Sequence, residues 1–201
     1  MKKIFYTLAF LFMFVSFTYA LPPVYFTGDV NYAGSGCPSD TIEPILSGDA
    51  RTLTIIFEEY EAMIDAATSP VVSKFCNMNI PIHIPQGWQY SLIDVTHRGS
   101  ATLDPGVKAT FTERYYFSGQ RGKKVTRKTY GSYDDDYTFI DKFGIASFVW
   151  SPCGRDVGLN LRSKIKLDNR RNRNGFGLVD RESTDIDIKR TYSLSWRRCT
   201  P

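Results

Sequence analysis

Apolar side chains return at every second position along most of this chain. Leu53, Ile55 and Phe57 alternate with Thr52 and Thr54, and Cys76, Met78, Ile80, Ile82 and Ile84 alternate with Asn77, Asn79, Pro81 and His83. Later, Leu159, Leu161, Ile165 and Leu167 alternate with Asn160, Arg162, Lys164 and Lys166. Last, Ile186, Ile188, Tyr192, Leu194 and Trp196 alternate with Asp185, Asp187, Lys189, Thr191, Ser193 and Ser195. A period of two sends successive side chains to opposite faces, so each run predicts a strand with one buried face. No helical period beats it anywhere after residue 20.

Weaker patterns fill the intervals. Residues 41–46 predict a short strand, and 58–67 another, because Tyr60, Ala62 and Ile64 alternate with Glu59, Glu61 and Asp65. Residues 88–96, with Trp88, Tyr90 and Leu92 on one side, predict the return arm of a hairpin that begins at Cys76 and turns at Pro85-Gln86-Gly87. Pro81 cannot donate to a ladder, which predicts an edge strand or a bulge there. Asp104-Pro105-Gly106 is a turn, since Pro presets φ and Gly accepts a positive one; a strand over 107–117 follows it. Residues 123–130 predict an exposed strand, 131–136 a loop, 137–140 a short strand and 168–177 a loop rich in Asn, Arg and Gly. Many short strands with frequent turns predict an all-β fold: a single-domain, two-sheet antiparallel β-sandwich.

Residues 1–20 stand apart. Lys2 and Lys3 precede an uncharged apolar run, and Thr18-Tyr19-Ala20 closes it with a small residue, the layout of a secretory signal peptide cleaved near Ala20. The apolar run is too short to span a bilayer, and Pro22-Pro23 follow it. The expected organisation is a signal peptide (1–20), an extended N-terminal arm (21–36) and a β-sandwich domain (37–201), with the mature chain secreted or periplasmic and without a membrane span. Of 25 Lys and Arg and 21 Asp and Glu in the whole chain, the leader holds two Lys and no acid. The remainder is nearly neutral, so its charge gives no reason to expect a nucleic-acid partner, which needs a clustered basic face.

Four cysteines, Cys37, Cys76, Cys153 and Cys199, lie far apart in a chain bound for an oxidising compartment. An even count without close C-x2-C pairs predicts two disulfides rather than zinc, with three possible pairings. Little else points to chemistry. Asp134-Asp135-Asp136 lacks the ligand spacing of a calcium loop and reads as solvated. Arg170, Arg171 and Arg173 read as a soluble loop. His83 and His97 are the only imidazoles, and no nucleophile elbow or H-E-x-x-H helix accompanies them. Glu58, Glu59, Glu61, Glu113 and Glu182 cannot be paired from sequence. Trp88, Tyr90, Tyr115, Tyr116 and Phe117 read mainly as core, although Tyr115 and Tyr116, being adjacent, cannot both point inward.

One further set of residues adds a comparison. Gly36-Cys37-Pro38, the run Thr52–Phe57 followed by acids, Lys74-Phe75-Cys76-Asn77-Met78-Asn79, Pro85-Gln86-Gly87-Trp88-Gln89-Tyr90-Ser91, Leu103-Asp104-Pro105-Gly106-Val107, Tyr115-Tyr116-Phe117-Ser118-Gly119, Trp150-Ser151-Pro152-Cys153-Gly154 and Trp196-Arg197-Arg198-Cys199 occur in this order. Together they resemble the secreted proteins grouped as domain of unknown function 4360. The chain departs from that pattern at Ala66-Ala67-Thr68-Ser69-Pro70, where the family has a Gly-Pro-Gly-like turn, and in its more basic 168–177 loop. The resemblance implies secretion, two disulfides and a compact β domain. It implies no activity, cofactor or catalytic residue.

Among the three pairings, Cys37–Cys76 with Cys153–Cys199 is preferred. Each closes a loop worth roughly 4 kcal/mol by loop entropy, and the terminal strand ending at Cys199 would then lie beside the run ending at Trp150. The function expected is a non-catalytic binding or surface-interaction module whose partner is a glycan or a cell-surface component. The alternatives are a structural envelope protein without ligand and a small secreted hydrolase with a carboxylate pair.

Overall fold

A computed structural model describes residues 22–144, 149–180 and 188–200. Its strands, in chain order, are β1 (Asn31–Ala33), β2 (Ile42–Leu46), β3 (Thr52–Phe57), β4 (Ala62–Ile64), β5 (Val71–Ile80), β6 (Trp88–Leu103), β7 (Lys108–Phe117), β8 (Lys123–Tyr130), β9 (Tyr133–Lys142), β10 (Leu159–Asp168), β11 (Gly177–Asp180) and β12 (Ile188–Arg198). They form two antiparallel sheets. One has five strands in the order β1-β5-β10-β7-β8. The other has seven, in the order β2-β3-β12-β6-β11-β4, with β9 along the other edge of β6. This is the expected two-sheet sandwich. Its core interleaves the inward phases of both sheets, among them Leu53, Ile55 and Phe57 with Met78, Ile80, Leu161 and Ile165.

The expected hairpin between 76–84 and 88–96 does not form. β5 and β6 belong to different sheets, and the turn in which the Trp88 N–H bonds the Pro85 carbonyl (3.0 Å) carries the chain from one to the other. Long-range partners separate them: β5 pairs with β1 and β10, and β6 with β12, β11 and β9. Pro81 marks neither an edge nor a bulge within the strand: β5 ends at Ile80, one residue earlier, and lies between β1 and β10. The real bulge is in β6. Trp88, Tyr90 and Leu92 point inward, but after Ile93 the inward phase passes to Val95 and His97, and the register with β12 shifts between Ser193 and Leu194. Of 58–67, only β4 is strand. Residues 133–136 are strand rather than loop, because β9 pairs with β6 from Tyr133 onward. The N-terminal arm contributes β1, paired with β5, and Phe26 bridges to Ile82.

The turn at Asp104-Pro105-Gly106 forms as expected: Gly106 has φ +86° and the Val107 N–H bonds the Asp104 carbonyl. Both disulfides form in the preferred pairing, Cys37–Cys76 and Cys153–Cys199. The second is more than a link between neighbouring strands. Ser151 bonds both backbone groups of Tyr90, its N–H to the Tyr90 carbonyl (2.8 Å) and its hydroxyl from the Tyr90 N–H (3.0 Å). The 149–154 segment therefore runs along the edge of β6 opposite β12, and Cys153–Cys199 ties the two edges together around the first residues of β6. Trp150 receives the Arg197 guanidinium at 3.8 Å from its ring centre, while Trp196 packs inward on Tyr90, 4.9 Å between centroids. Of the apolar run expected over 145–150, residues 145–148 lie outside the described residues.

Candidate functional site

Two groups of polar side chains stand out, one inside the sandwich and one on its surface. The inner group joins the sheets. Arg190, from β12, reaches Glu113 of β7 at 3.0 Å and donates to the hydroxyl of Ser163 on β10 at 2.7 Å. Ser163 spends its one proton on Glu113 (3.0 Å), so the Tyr60 hydroxyl, 2.7 Å away, must donate to it. The guanidinium lies over the rings of Phe57 and Tyr60. Beside this, His97 Nε2 and Asp141 Oδ2 are 3.0 Å apart, Tyr115 donates to the same carboxylate at 3.2 Å, and Arg127 Nε donates to its other oxygen at 2.8 Å. Burial pushes the Glu113 carboxyl above its ordinary range, and Arg190 offsets only part of this. Burial acts on Asp141 the same way, but the hydrogen bond and charge of His97 and those of Arg127 outweigh it and hold that carboxyl low. Glu113 and Asp141 line one cavity of about 20 Å³. That is room for a water molecule, not for a sugar ring.

The outer group lies on the open face of the five-stranded sheet, and strand register sets its order. Asn31, Asn79, Asn160 and Tyr116 are opposite one another on β1, β5, β10 and β7 and form one row across the strands. In the next row are Asn77, Arg162, Arg114 and Lys124 on β5, β10, β7 and β8. The first row and the near end of the second line an open groove of about 280 Å³. Asn79 donates to Asn160 Oδ1 (3.0 Å), and Asn160 donates in turn to Ser118 (3.1 Å) and to the Gly158 carbonyl (3.2 Å), so the two amides are held in fixed orientation. A Cβ at Gly158 would lie 2.2 Å from the Asn79 amide nitrogen, so only glycine leaves that side chain its place. The Arg114 and Arg162 guanidiniums sit 5.1 and 5.3 Å from the Tyr116 ring centre. Asn31 and Asn77 make no side-chain hydrogen bond among the described residues and are exposed.

Most other residues singled out in the sequence have structural roles. Trp88, Tyr90, Tyr115 and Phe117 are buried as core; of the five aromatics only Tyr116 faces out. Asp134 to Asp136 lie on β9, where Asp134 accepts from Thr102 (2.8 Å). Among the described residues no three His, Cys, Asp or Glu side chains gather as metal ligands. His83 stacks on Tyr25 and bonds Asp156 through Nδ1. Arg170 forks onto Asp168 at 2.9 and 2.7 Å and, with Lys108, holds that carboxyl well below its ordinary range. Buried Asn169 pins the same loop to Asp65 and Gly175. Glu182 lies outside the described residues. The partners of Glu113 escaped the sequence reading although a signal existed. Ser163 and Arg190 fall in the apolar phase of their strands, between Leu161 and Ile165 and between Ile188 and Tyr192, and a polar residue in such a gap marks a buried polar partner.

Two antiparallel sheets, two disulfides and an open polar groove define a disulfide-bonded β-sandwich protein. Residues 27–199 match the family described as domain of unknown function (DUF4360), and the chain belongs to it. A relative described as an uncharacterized secreted protein, from Arthroderma benhamiae, is 37% identical over 173 residues, 85% of this chain and 70% of its own length. Among solved structures, TmCBM61 in complex with β-1,4-galactotriose is similar over 84% of this chain and 88% of its own, at 11% identity and TM-score 0.30. The adhesin domain of Epf from Streptococcus pyogenes is similar over 80% and 48%, at 8% identity and TM-score 0.21. Likenesses this distant carry over neither ligand nor activity. Among the described residues no helix is long and apolar enough to cross a membrane.

Proposed function

We propose that this chain is an exported, non-catalytic glycan-binding module whose site is the groove on the open face of the five-stranded sheet. The carrying observation is the row Asn31, Asn79, Asn160 and Tyr116, one side chain per strand, lining that groove. A carboxamide both donates and accepts, as a sugar hydroxyl does, and a tyrosine ring offers an apolar face to the C–H side of a pyranose. Adjacent strands are about 4.8 Å apart, close to the length of one sugar unit in an extended chain. A polysaccharide laid across the strands meets a new side chain at each unit. The leader is removed near Ala20, and the mature chain acts outside the cytoplasm.

A glycan array probed with the oxidised protein tests this. Binding is expected to at least one polysaccharide, and Tyr116→Ala or Asn79→Ala is expected to weaken it by roughly tenfold, the loss of one stacking or polar contact, without lowering Tm. A uniformly blank array, or binding indifferent to both substitutions, overturns the assignment. Mass spectrometry of the exported protein checks the leader: the expected first residue is Leu21.

A further inference from the structure

We infer that the polysaccharide taken by this face is acidic, carrying carboxylate or sulfate groups along its length. This rests on the reading of the groove as a glycan site and adds the class of glycan.

The observation is the distribution of charge on the face beyond the amide row. In the adjoining row Arg162, Arg114 and Lys124 occupy three neighbouring strands. Lys164 continues the face one row further on β10, and beyond it Lys166 and Lys128 flank Thr110. Arg114, Lys124, Arg162 and Lys164 are exposed, and none of these cations has an ion-pair partner among the described residues. Among the described residues of these strands, the carboxylate in the outward phase is Asp168, at the far end of the face and already engaged by Arg170 and Lys108. The chain beyond its leader is nearly neutral, so this many cations on one sheet face leave the rest of the chain with an acidic excess. The face is a positive field set apart from the remainder of the molecule.

Register gives this field a geometry suited to a linear polyanion. Side chains on one face repeat about every 6.7 Å along a strand and about every 4.8 Å across strands. A sugar chain lying on the amide row therefore has Arg162, Arg114 and Lys124 along one flank at one cation per strand. A guanidinium forks onto a carboxylate or sulfate through paired hydrogen bonds. Single-stranded nucleic acid fits less well. It needs successive aromatic platforms, whereas the rings on this face, Phe75, Tyr116 and Tyr130, fall in three different rows.

Affinity electrophoresis and calorimetry with the oxidised full chain test this, using four probes: polygalacturonate, its fully methyl-esterified form, dextran sulfate, and single-stranded DNA of similar length. The expected result is binding to an acidic polymer at least roughly tenfold tighter than to the esterified one, with affinity falling as salt rises. Polygalacturonate and dextran sulfate distinguish carboxylate from sulfate as the source of charge. Arg162→Gln with Arg114→Gln, both exposed, should remove most of the preference and flatten the salt dependence by about one charge per substitution, with Tm unchanged. Equal binding of polygalacturonate and its ester overturns the inference but leaves the glycan site standing, provided Tyr116→Ala still weakens both. Binding of DNA as tight as that of the acidic polymers overturns it as well, by making the face a general polyanion surface. If no polysaccharide binds here or on the array, both readings fall.

Discussion

Glu113 and Arg190 are each nearly sealed from solvent, at 6% and 5% exposure, and face each other across the core. A buried ion pair contributes little over well-packed apolar residues, but removing one partner strands the other and costs about 3–5 kcal/mol. Arg190→Met and Glu113→Leu should each destabilise by about that much, and the double variant by less than their sum, with a coupling above about 1 kcal/mol in denaturant titrations. Additive losses would mean the pair is not coupled. Asp141 gives a pH signature. Its folded-state carboxyl is held below the ordinary value, so its contribution is complete above pH about 4 and is lost as pH falls through the lowered folded value. Asp141→Asn should lower Tm by roughly 5–12 °C at pH 7, and the difference from wild type should shrink towards pH 2. A gap that stays constant with pH refutes this role. Such residues were legible only in part, because alternation reports which face a side chain takes, not which partner it finds there.

At the scale of elements, legibility followed amphipathicity. β3 is legible to the residue because Thr52 and Thr54 open its outer phase while its inner phase is Leu53, Ile55 and Phe57. The start of β9 is not legible because Tyr133 is followed by three consecutive aspartates, which satisfy no alternation; long-range pairing with β6 makes them strand. The false hairpin had the opposite cause: two clean strands and a good turn between them, with nothing in the local pattern to say that the sheets differ. The Cys153–Cys199 bridge is also an element-scale feature, since it locks the 149–154 segment and β12 against the two edges of β6. Replacing both cysteines by alanine should cost about 4 kcal/mol. It should also speed hydrogen exchange at the Ser151 and Gly154 amides and at the amide of residue 199 well before the centre of β6 responds. Uniform exchange across β6 would show that the bridge does not act locally.

For the whole molecule, the near-neutral balance concealed the basic face, because a net charge does not report how charge is divided between surfaces. The sandwich itself was foreseeable from composition and period. The face became visible only once register put Arg162 beside Arg114 and Asn79 beside Asn160. The pairing order also governs how the fold is reached. The central strand of each sheet arrives late in the chain: β10 lies between β5 and β7, and β12 between β3 and β6. A chain ending at residue 158 should therefore show no cooperative unfolding transition, and the complete chain should fold slowly, on the millisecond-to-second scale of sandwiches rich in distant pairings. Neither sheet can close before β10 and β12 have been made, because β5 and β7, like β3 and β6, are joined only through the strand between them. Of its two disulfides, Cys37–Cys76 joins residues that both precede the two central strands and can form early, whereas Cys153–Cys199 links the segment before β10 to the residue after β12 and can form only once both central strands are in the chain.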